Sequence, residues 1–88
     1  MKTVLITGSN RGLGLEFAKC YSENNYNVIA CCRNKDVASD LHSLSKKHDS
    51  IQMYSLDVSD TAQIKALSNS LQSQPIDILI NNAGIYRP

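Results

Sequence analysis

The sequence predicts an α/β fold, the first half of a doubly wound parallel sheet. Strand and helix patterns alternate along the chain of 88 residues, with turn residues between them. Three of the predicted strands are nearly continuous apolar runs, as expected of strands that helices cover on both faces. The first strand leads directly into a glycine-rich turn and then into a helical pattern.

The first strand covers residues 3–7, and the helix after it ends where Asn24 and Asn25 break the helical pattern. The apolar residues of this helix recur at helical spacing and are Leu13, Phe17, Cys20 and Tyr21.

The second strand covers residues 28–32. The helix that follows is predicted to begin after Asn34 and to end near residues 49–50. Its buried stripe has a helical period and consists of Val37, Leu41, Leu44 and His48.

The third strand, residues 51–56, alternates apolar and polar side chains, which favours a place at the edge of the sheet. Asp60 is predicted to cap the third helix, and Gln63 completes a capping box. The fourth strand covers residues 76–80 and is apolar except for Asp77. The buried stripe of the third helix is predicted to be Ile64, Leu67 and Leu71.

Four parallel strands joined by right-handed crossovers would lie in the order 3-2-1-4, with the topology βαβαβαβ. The fourth strand has the sequence of a buried central strand, yet it would form an open edge of this sheet. We therefore expect residues 1–88 to be one truncated domain of a longer protein. A truncation, a proteolytic product and a split reading frame all fit this expectation.

Composition and charge limit the class of partner. The chain is 42% hydrophobic and has a formal net charge of +1, which gives no field that would attract nucleic acid or an acidic membrane surface. No apolar run approaches the roughly 20 residues of a membrane span, and the strand pattern begins by Thr3, which leaves no room for a signal peptide. We therefore expect no nucleic-acid or membrane partner and a cytoplasmic location.

The cysteines Cys20, Cys31 and Cys32 are predicted to be buried or half-buried free thiols. The last two are neighbours in a strand, so their side chains are expected on opposite faces of the sheet. His42 and His48 lie on or beside a helix and have no second ligand at a metal-binding spacing. No metal site is expected.

The turn after the first strand has the chemistry of a nucleotide phosphate site. Its glycines let the backbone turn sharply and approach a phosphate without a Cβ, and the helix that follows presents unpaired N–H groups to the anion. Asn10 stands where the G-x-G-x-x-G fingerprint has its second glycine, so the pattern is T-G-x-x-x-G-x-G. The residues of this turn that are expected to bind the cofactor are Gly8, Ser9, Asn10, Arg11, Gly12, Leu13 and Gly14.

Three motifs in the same order resemble those of the short-chain dehydrogenase/reductase family, oxidoreductases that move a hydride between NAD(P)(H) and an alcohol or carbonyl compound. The glycine turn, with Thr7 before it, matches the family's phosphate loop. Asp57 after the third strand matches an adenine-contacting acid, and residues 81–84 match an N-N-A-G turn. The resemblance covers the whole chain and implies a Rossmann-like fold and a small alcohol or carbonyl substrate. We also expect a homo-oligomer.

The residue that ends the second strand selects between two cofactors. An acid there would bind the ribose 2′-hydroxyl of NAD, whereas an arginine would accept the 2′-phosphate of NADP. Here the position reads Cys32-Arg33, and no acid appears before Asp36. Arg11 could supply a second guanidinium to the same phosphate. NADP is therefore favoured over NAD.

The resemblance also assigns contacts to the adenosine side of the cofactor. Asp57 and Val58 would contact adenine, and Asn82 would tie strands together. The remaining residues of the N-N-A-G turn that are implied to lie near the adenosine or its ribose are Asn81, Ala83 and Gly84.

The family's catalytic residues are a serine on a later strand and a Tyr-x-x-x-Lys on a later helix, and neither motif is found in the 88 residues. These residues alone are therefore expected to bind cofactor but to be inactive, whereas the whole enzyme would be an NADP-dependent carbonyl reductase or alcohol dehydrogenase. Two alternatives stay open. One is a non-catalytic nucleotide-binding or sensing module, and the other is an interaction module that associates through the exposed edge of the fourth strand.

Overall fold

Four parallel strands form one sheet in the computed structural model, which describes residues 1–82. The strand order is β3-β2-β1-β4, so the predicted fold class and topology are confirmed. Helices connect the strands in sequence order, and a 3₁₀ turn follows β2. The elements are β1 (Thr3–Ile6), α1 (Gly12–Glu23), β2 (Asn27–Cys32), the 3₁₀ turn (Lys35–Val37), α2 (Ser39–Lys47), β3 (Ile51–Ser55), α3 (Thr61–Ser70) and β4 (Ile78–Ile80).

The central strand β2 is the most deeply buried, because it is paired on both edges and covered on both faces. It pairs with β1 and with β3, and four of its residues have no exposed surface. Ala30 packs on the face that α1 and α2 cover, and Ile29 packs on the opposite face, toward α3. Cys31 and Cys32 are likewise buried on opposite faces, as predicted from their adjacent positions in a strand.

Helix α1 packs on the sheet through small side chains, which differs from the predicted apolar stripe. Gly14, Ala18 and Ser22 are its buried residues. Leu13, which belongs to the predicted apolar pattern, is 60% exposed. Cys20 is exposed, so its predicted burial or half-burial is wrong. The short side chains allow the helix axis to lie close to β1 and β2. Two residues of the predicted pattern, Phe17 and Tyr21, are half-buried and pack against the same core.

The second helix begins later than predicted, because a 3₁₀ turn precedes it. Asn34 accepts a hydrogen bond from the Asp36 N–H and caps the turn rather than the helix. Ala38 then leaves helical geometry, with φ −87° and ψ 70°, and is buried. Val37 is 75% exposed and is therefore not part of the core stripe, which retains Leu41.

The third helix is capped as predicted but is much less buried than its apolar stripe indicates. The Asp60 carboxylate accepts hydrogen bonds from the N–H groups of Ala62 and Gln63. The side chain of Gln63 accepts from the Asp57 N–H at 2.7 Å instead of returning to Asp60, whose own N–H already donates to the Asp57 carbonyl. Ile64 is 44% exposed, so its predicted burial is wrong. Only at the end of the helix does the stripe reach the core, with Leu67 half-buried and Leu71 buried.

Strand β4 is shorter than predicted and pairs only with β1. Ile76 lies outside the strand and is 37% exposed, while Leu79 within it is 66% exposed. Asp77, the polar residue of this segment, accepts a hydrogen bond from the Thr3 N–H at 2.8 Å, which fixes the start of β1 against the start of β4. Within residues 1–82, β4 is an open edge of the sheet, as predicted.

Candidate functional site

A cleft of about 790 Å³ lies at the carboxyl ends of the strands. The loops after β1, β2 and β3 form its walls, and Asn82 after β4 also lines it. Open α/β sheets bind ligands in this position, where the strand order reverses. The cleft brings together eight of the residues that the sequence predicts as cofactor contacts, namely Gly8, Asn10, Arg11, Gly12, Leu13, Arg33, Asp57 and Val58.

The glycine loop needs glycine at two positions for its backbone. Gly8 has φ +62° and Gly12 has φ +57°. This left-handed conformation is unfavourable for residues that carry a Cβ. Ser9, between them, is fully buried and does not line the cleft. Both its N–H and its hydroxyl donate to the Cys31 carbonyl, at 3.0 and 2.9 Å. Ser9 therefore fastens the loop to the end of β2.

Gly14 is required for a different reason, the close approach of α1 to the loop. A Cβ on Gly14 would lie 2.0 Å from the Gly8 carbonyl oxygen and 2.7 Å from the amide nitrogen of Asn82. No real Cβ contact is so short, so a side chain here would force the loop or the helix to move. Because Gly14 has no Cβ, the loop, the helix and the turn after β4 can lie in close contact.

The amino end of α1 opens toward the cleft. Arg11 occupies the N-cap position with an extended backbone, and it makes no side-chain capping bond within the described helix. The first turn of α1 contains no acidic residue. The unpaired N–H groups and the positive end of the helix dipole are therefore available to an anion at the site that Gly12 and Leu13 also line.

The turn after β4 is joined to the glycine loop by side-chain amides. The Thr7 hydroxyl donates to the Asn81 side-chain oxygen at 3.0 Å. The Asn82 amide donates to the Gly8 carbonyl at 3.1 Å, so this asparagine links the turn after β4 to the glycine loop. Two further residues that the sequence predicts as cofactor contacts, Ala83 and Gly84, lie outside the described residues.

The wall formed after β2 carries Arg33, Asn34 and Val37, all of them exposed. Asp57 lies on the neighbouring wall, where bonds from Ser59 are the main cause of its low pKa and the charge of Arg33 makes a smaller contribution. Arg11 lines the same cleft from the glycine loop. Two arginines thus line the cleft from different loops, and guanidinium groups match a phosphate in charge and in hydrogen-bond geometry.

The wall formed after β3 carries an ionised carboxylate. The Ser59 hydroxyl and N–H both donate to one Asp57 oxygen, at 2.6 and 3.0 Å, and these bonds hold the pKa of Asp57 below its usual range. Leu56 and Val58 line the cleft beside it and give this wall an apolar part. The combination of an acceptor and an apolar surface suits a flat heterocycle with an amino group.

Several residues of the cleft were not predicted from the sequence. Asn34, Val37 and Ser59 contribute to its walls. The signal for Ser59 is its position two residues after Asp57, because an Asp side chain often accepts from the backbone two residues later. Val37 was instead predicted to be buried, since a valine at helical spacing is usually a core residue.

Within residues 1–82, no group of three His, Cys, Asp or Glu side chains could hold a metal ion. None of the helices in that range is long and apolar enough to cross a membrane.

Comparison with known proteins gives consistent matches over this whole chain. A family model described as short chain dehydrogenase matches residues 2–88. The short-chain dehydrogenase cctT of Talaromyces islandicus is 37% identical over 89 residues, covering 97% of this chain and 30% of that protein. The NADPH-dependent 1-acyldihydroxyacetone phosphate reductase of Saccharomyces cerevisiae is 34% identical over 87 residues, covering 94% of this chain and 29% of that protein.

Solved structures match the arrangement of strands and helices. A carbonyl reductase from Pseudomonas aeruginosa PAO1 in complex with NADP superposes with a TM-score of 0.91 at 31% identity. That match covers 100% of this chain and 40% of the reductase. A short-chain dehydrogenase/reductase from Burkholderia multivorans with bound NADP gives a TM-score of 0.89 at 32% identity, over 99% of this chain and 38% of that chain. The chain therefore spans less than half the length of the proteins that it matches.

Proposed function

The chain belongs to the short-chain dehydrogenase family, and from that premise we propose that it forms the cofactor-binding part of an NADP-dependent oxidoreductase. The reaction would move a hydride between NADP(H) and an alcohol or carbonyl compound. The observation that carries the proposal is the convergence of the glycine loop, Arg33 and Asp57 on one cleft at the carboxyl ends of the strands.

The pyrophosphate of the cofactor would lie against the glycine loop and the amino end of α1. Gly8 and Gly12 adopt the left-handed backbone that such a loop needs, and Gly14 leaves room for the close approach of helix and loop. The free N–H groups at the start of α1 would bind the phosphate oxygens, supported by the helix dipole. Ser9 would act through its bonds to Cys31 and would not touch the cofactor.

The choice of NADP rests on the two arginines. Arg33 follows β2 where an NAD-binding protein would carry an acid, and Arg11 lines the same cleft. A 2′-phosphate between them would gain charge-assisted hydrogen bonds, whereas a 2′-hydroxyl would leave the guanidinium groups without an anion. Relatives that include an NADPH-dependent reductase and two NADP complexes support this choice.

The adenine would lie against the wall formed after β3. The Asp57 carboxylate would accept a hydrogen bond from the adenine amino group, and the Val58 side chain would pack on the ring. Asn81, Ala83 and Gly84 are proposed contacts of the adenosine and its ribose. Asn81 already accepts a bond from Thr7, which fixes its side chain.

The nicotinamide would supply or accept the hydride. Residues 1–88 contain no Tyr-x-x-x-Lys, so we propose that they bind the cofactor without carrying out the proton transfer. The family matches favour an oxidoreductase over a nucleotide sensor or an interaction module. NADPH oxidation with a panel of carbonyl compounds, measured on the full-length gene product, would separate an enzyme from a module that only binds nucleotide.

The cofactor preference is tested by Arg33→Asp. Titration calorimetry should show NADPH binding at least about tenfold more tightly than NADH, since charge-assisted contacts contribute about 1.5 to 3 kcal/mol. Arg33→Asp should reverse the preference, because the new carboxylate repels a 2′-phosphate and accepts from a 2′-hydroxyl. Lys47→Asp makes the same change of charge on α2, outside this cleft, and should leave the preference unchanged. Equal dissociation constants for the two cofactors in the unmodified protein would contradict the proposal.

A further inference from the structure

The segment 33–37 contributes Arg33, Asn34 and Val37 to the wall of the cleft after β2, and all five of its residues are exposed. An exposed loop of this kind is normally among the more mobile parts of a protein. Here, however, hydrogen bonds hold the chain on both sides of Arg33. Ahead of the loop, the Cys32 carbonyl accepts a hydrogen bond from the Leu56 N–H at 2.7 Å.

The second attachment is at Lys35, and side chains from two other elements make it. The Lys35 N–H donates to the Ser55 hydroxyl at 3.1 Å, from the end of β3. The Lys35 carbonyl accepts from His42 Nε2 at 2.8 Å, from the first turns of α2. Because a carbonyl can only accept, Nε2 of this histidine carries the proton. Side chains thus bind both the N–H and the carbonyl group of Lys35.

Arg33 lies between these two attachments, at Cys32 and at Lys35, and its backbone is therefore held on both sides. Neither Ser55 nor His42 lines the cleft, so neither would touch the cofactor. Their effect on it would pass through the position of Lys35 and hence of Arg33.

We propose that His42 and Ser55 are positioning residues for cofactor selectivity, which hold the backbone of Arg33 where its side chain can reach the 2′-phosphate of NADP. The inference rests on the proposed function, because it concerns how an NADP-selective arginine is placed. Fixing a residue before the ligand arrives lowers the entropy lost on binding, and that gain applies only to ligands that carry the 2′-phosphate.

The test is made on the full-length gene product and its variants, with two adenosine ligands that differ only in the 2′-phosphate. We expect the unmodified chain to bind 2′,5′-ADP at least about tenfold more tightly than 5′-AMP. His42→Leu and Ser55→Ala should each reduce that ratio about three- to tenfold, with 5′-AMP binding unchanged within about twofold. His42→Gln and Ser55→Thr retain a donor and a hydroxyl and should restore most of the ratio.

If His42 and Ser55 had a purely structural role, their substitution would weaken the binding of both ligands equally and leave the ratio unchanged. This result would overturn the inference. A double-mutant cycle adds a second readout: in an Arg33→Ala background, His42→Leu should have no further effect on the ratio. An undiminished effect of His42→Leu in that background would also overturn it. Equal binding of the two ligands by the unmodified chain would instead contradict the proposed NADP selectivity itself. If the unmodified protein prefers 2′,5′-ADP as expected and both variants keep the same preference, only the positioning roles of His42 and Ser55 are wrong.

Discussion

Short polar side chains set the local geometry of the cleft in the loops after β2 and β3. Asn34 accepts from the Asp36 N–H, and Asp57 accepts from the Ser59 N–H, each two residues further along the chain. Asx turns of this kind shape the backbone without any distant contact. Asn34 and Asp57 both line the cleft, and in Asp57 the same bonds also lower the pKa of the carboxyl.

Ser59→Ala should raise the pKa of Asp57 toward the ordinary value for an aspartate, because the hydroxyl bond at 2.6 Å is lost. A carboxyl whose pKa is lowered by folding stabilises the folded state above its unfolded pKa of about 4, and this contribution disappears as the pH falls through the folded pKa. The stability difference between the two proteins should therefore be present near neutral pH and vanish in acid.

The measurement is an NMR titration of the Asp57 side-chain carbon, with chemical denaturation at several pH values. Ser43→Ala, at an exposed position on α2, is the matched control and should leave the Asp57 titration unchanged. An unchanged Asp57 pKa in Ser59→Ala would show that Ser59 is not the cause of its low value.

The contact between α1 and the glycine loop depends on Gly14. Gly14→Ala would place a Cβ 2.0 Å from the Gly8 carbonyl oxygen, so the helix and the loop must separate. We expect a loss of about 1 to 3 kcal/mol in the free energy of unfolding and a loss of more than about tenfold in NADPH affinity.

Gly12→Ala is the control for this substitution. Its Cβ would meet no atom within 4 Å, but its φ of +57° makes an alanine strained by about 1 to 2 kcal/mol. The two variants should therefore lose similar stability, while Gly14→Ala alone displaces Gly8 and Asn82. Unchanged NADPH binding by Gly14→Ala would mean that this loop is not the phosphate site.

The strands and their order could be predicted from the sequence because their signals are local. Continuous apolar runs, a glycine turn and right-handed crossovers leave few topologies open. Helix boundaries were less predictable. The stripe that included Val37 assumed one helix from residue 35 onward, but the bonds of Asn34 and Lys35 form a 3₁₀ turn first.

The candidate site likewise has parts that were predictable from the sequence and parts that were not. The positions of Gly8, Arg33 and Asp57 around one cleft were predictable because each of these residues follows a strand, and their roles as cofactor contacts stay predictions. The bonds of Ser55 and His42 to Lys35 were not, because they join three elements whose relative positions no local pattern specifies. Burial was also mispredicted where it depends on what else covers a surface, as at Ile64 on α3.

The two faces of the sheet are covered unequally over the described residues. Helices α1 and α2 cover one face, where Val4, Ile6 and Leu41 are fully buried. The other face has the smaller core, and α3 contains no buried residue of its own. Leu79 pairs in register with Leu5 and is 66% exposed, so apolar surface and an open strand edge occur together at β4.

A chain of these 88 residues should therefore self-associate in solution, or be only loosely folded around β4. Sedimentation should give a mass above that of the 9.7 kDa monomer, and hydrogen exchange should show weaker protection at amides 76–82 than in β2. Leu79→Lys removes apolar surface and places a charge at the edge, so it should lower the associated fraction, whereas Lys19→Leu on α1 should not. A compact monomer with strongly protected amides 76–82 would show that this half-sheet is stable by itself. It would also show that the apolar surface at Leu79 and Ile64 can remain in contact with water, as isolated exposed apolar side chains do in many proteins.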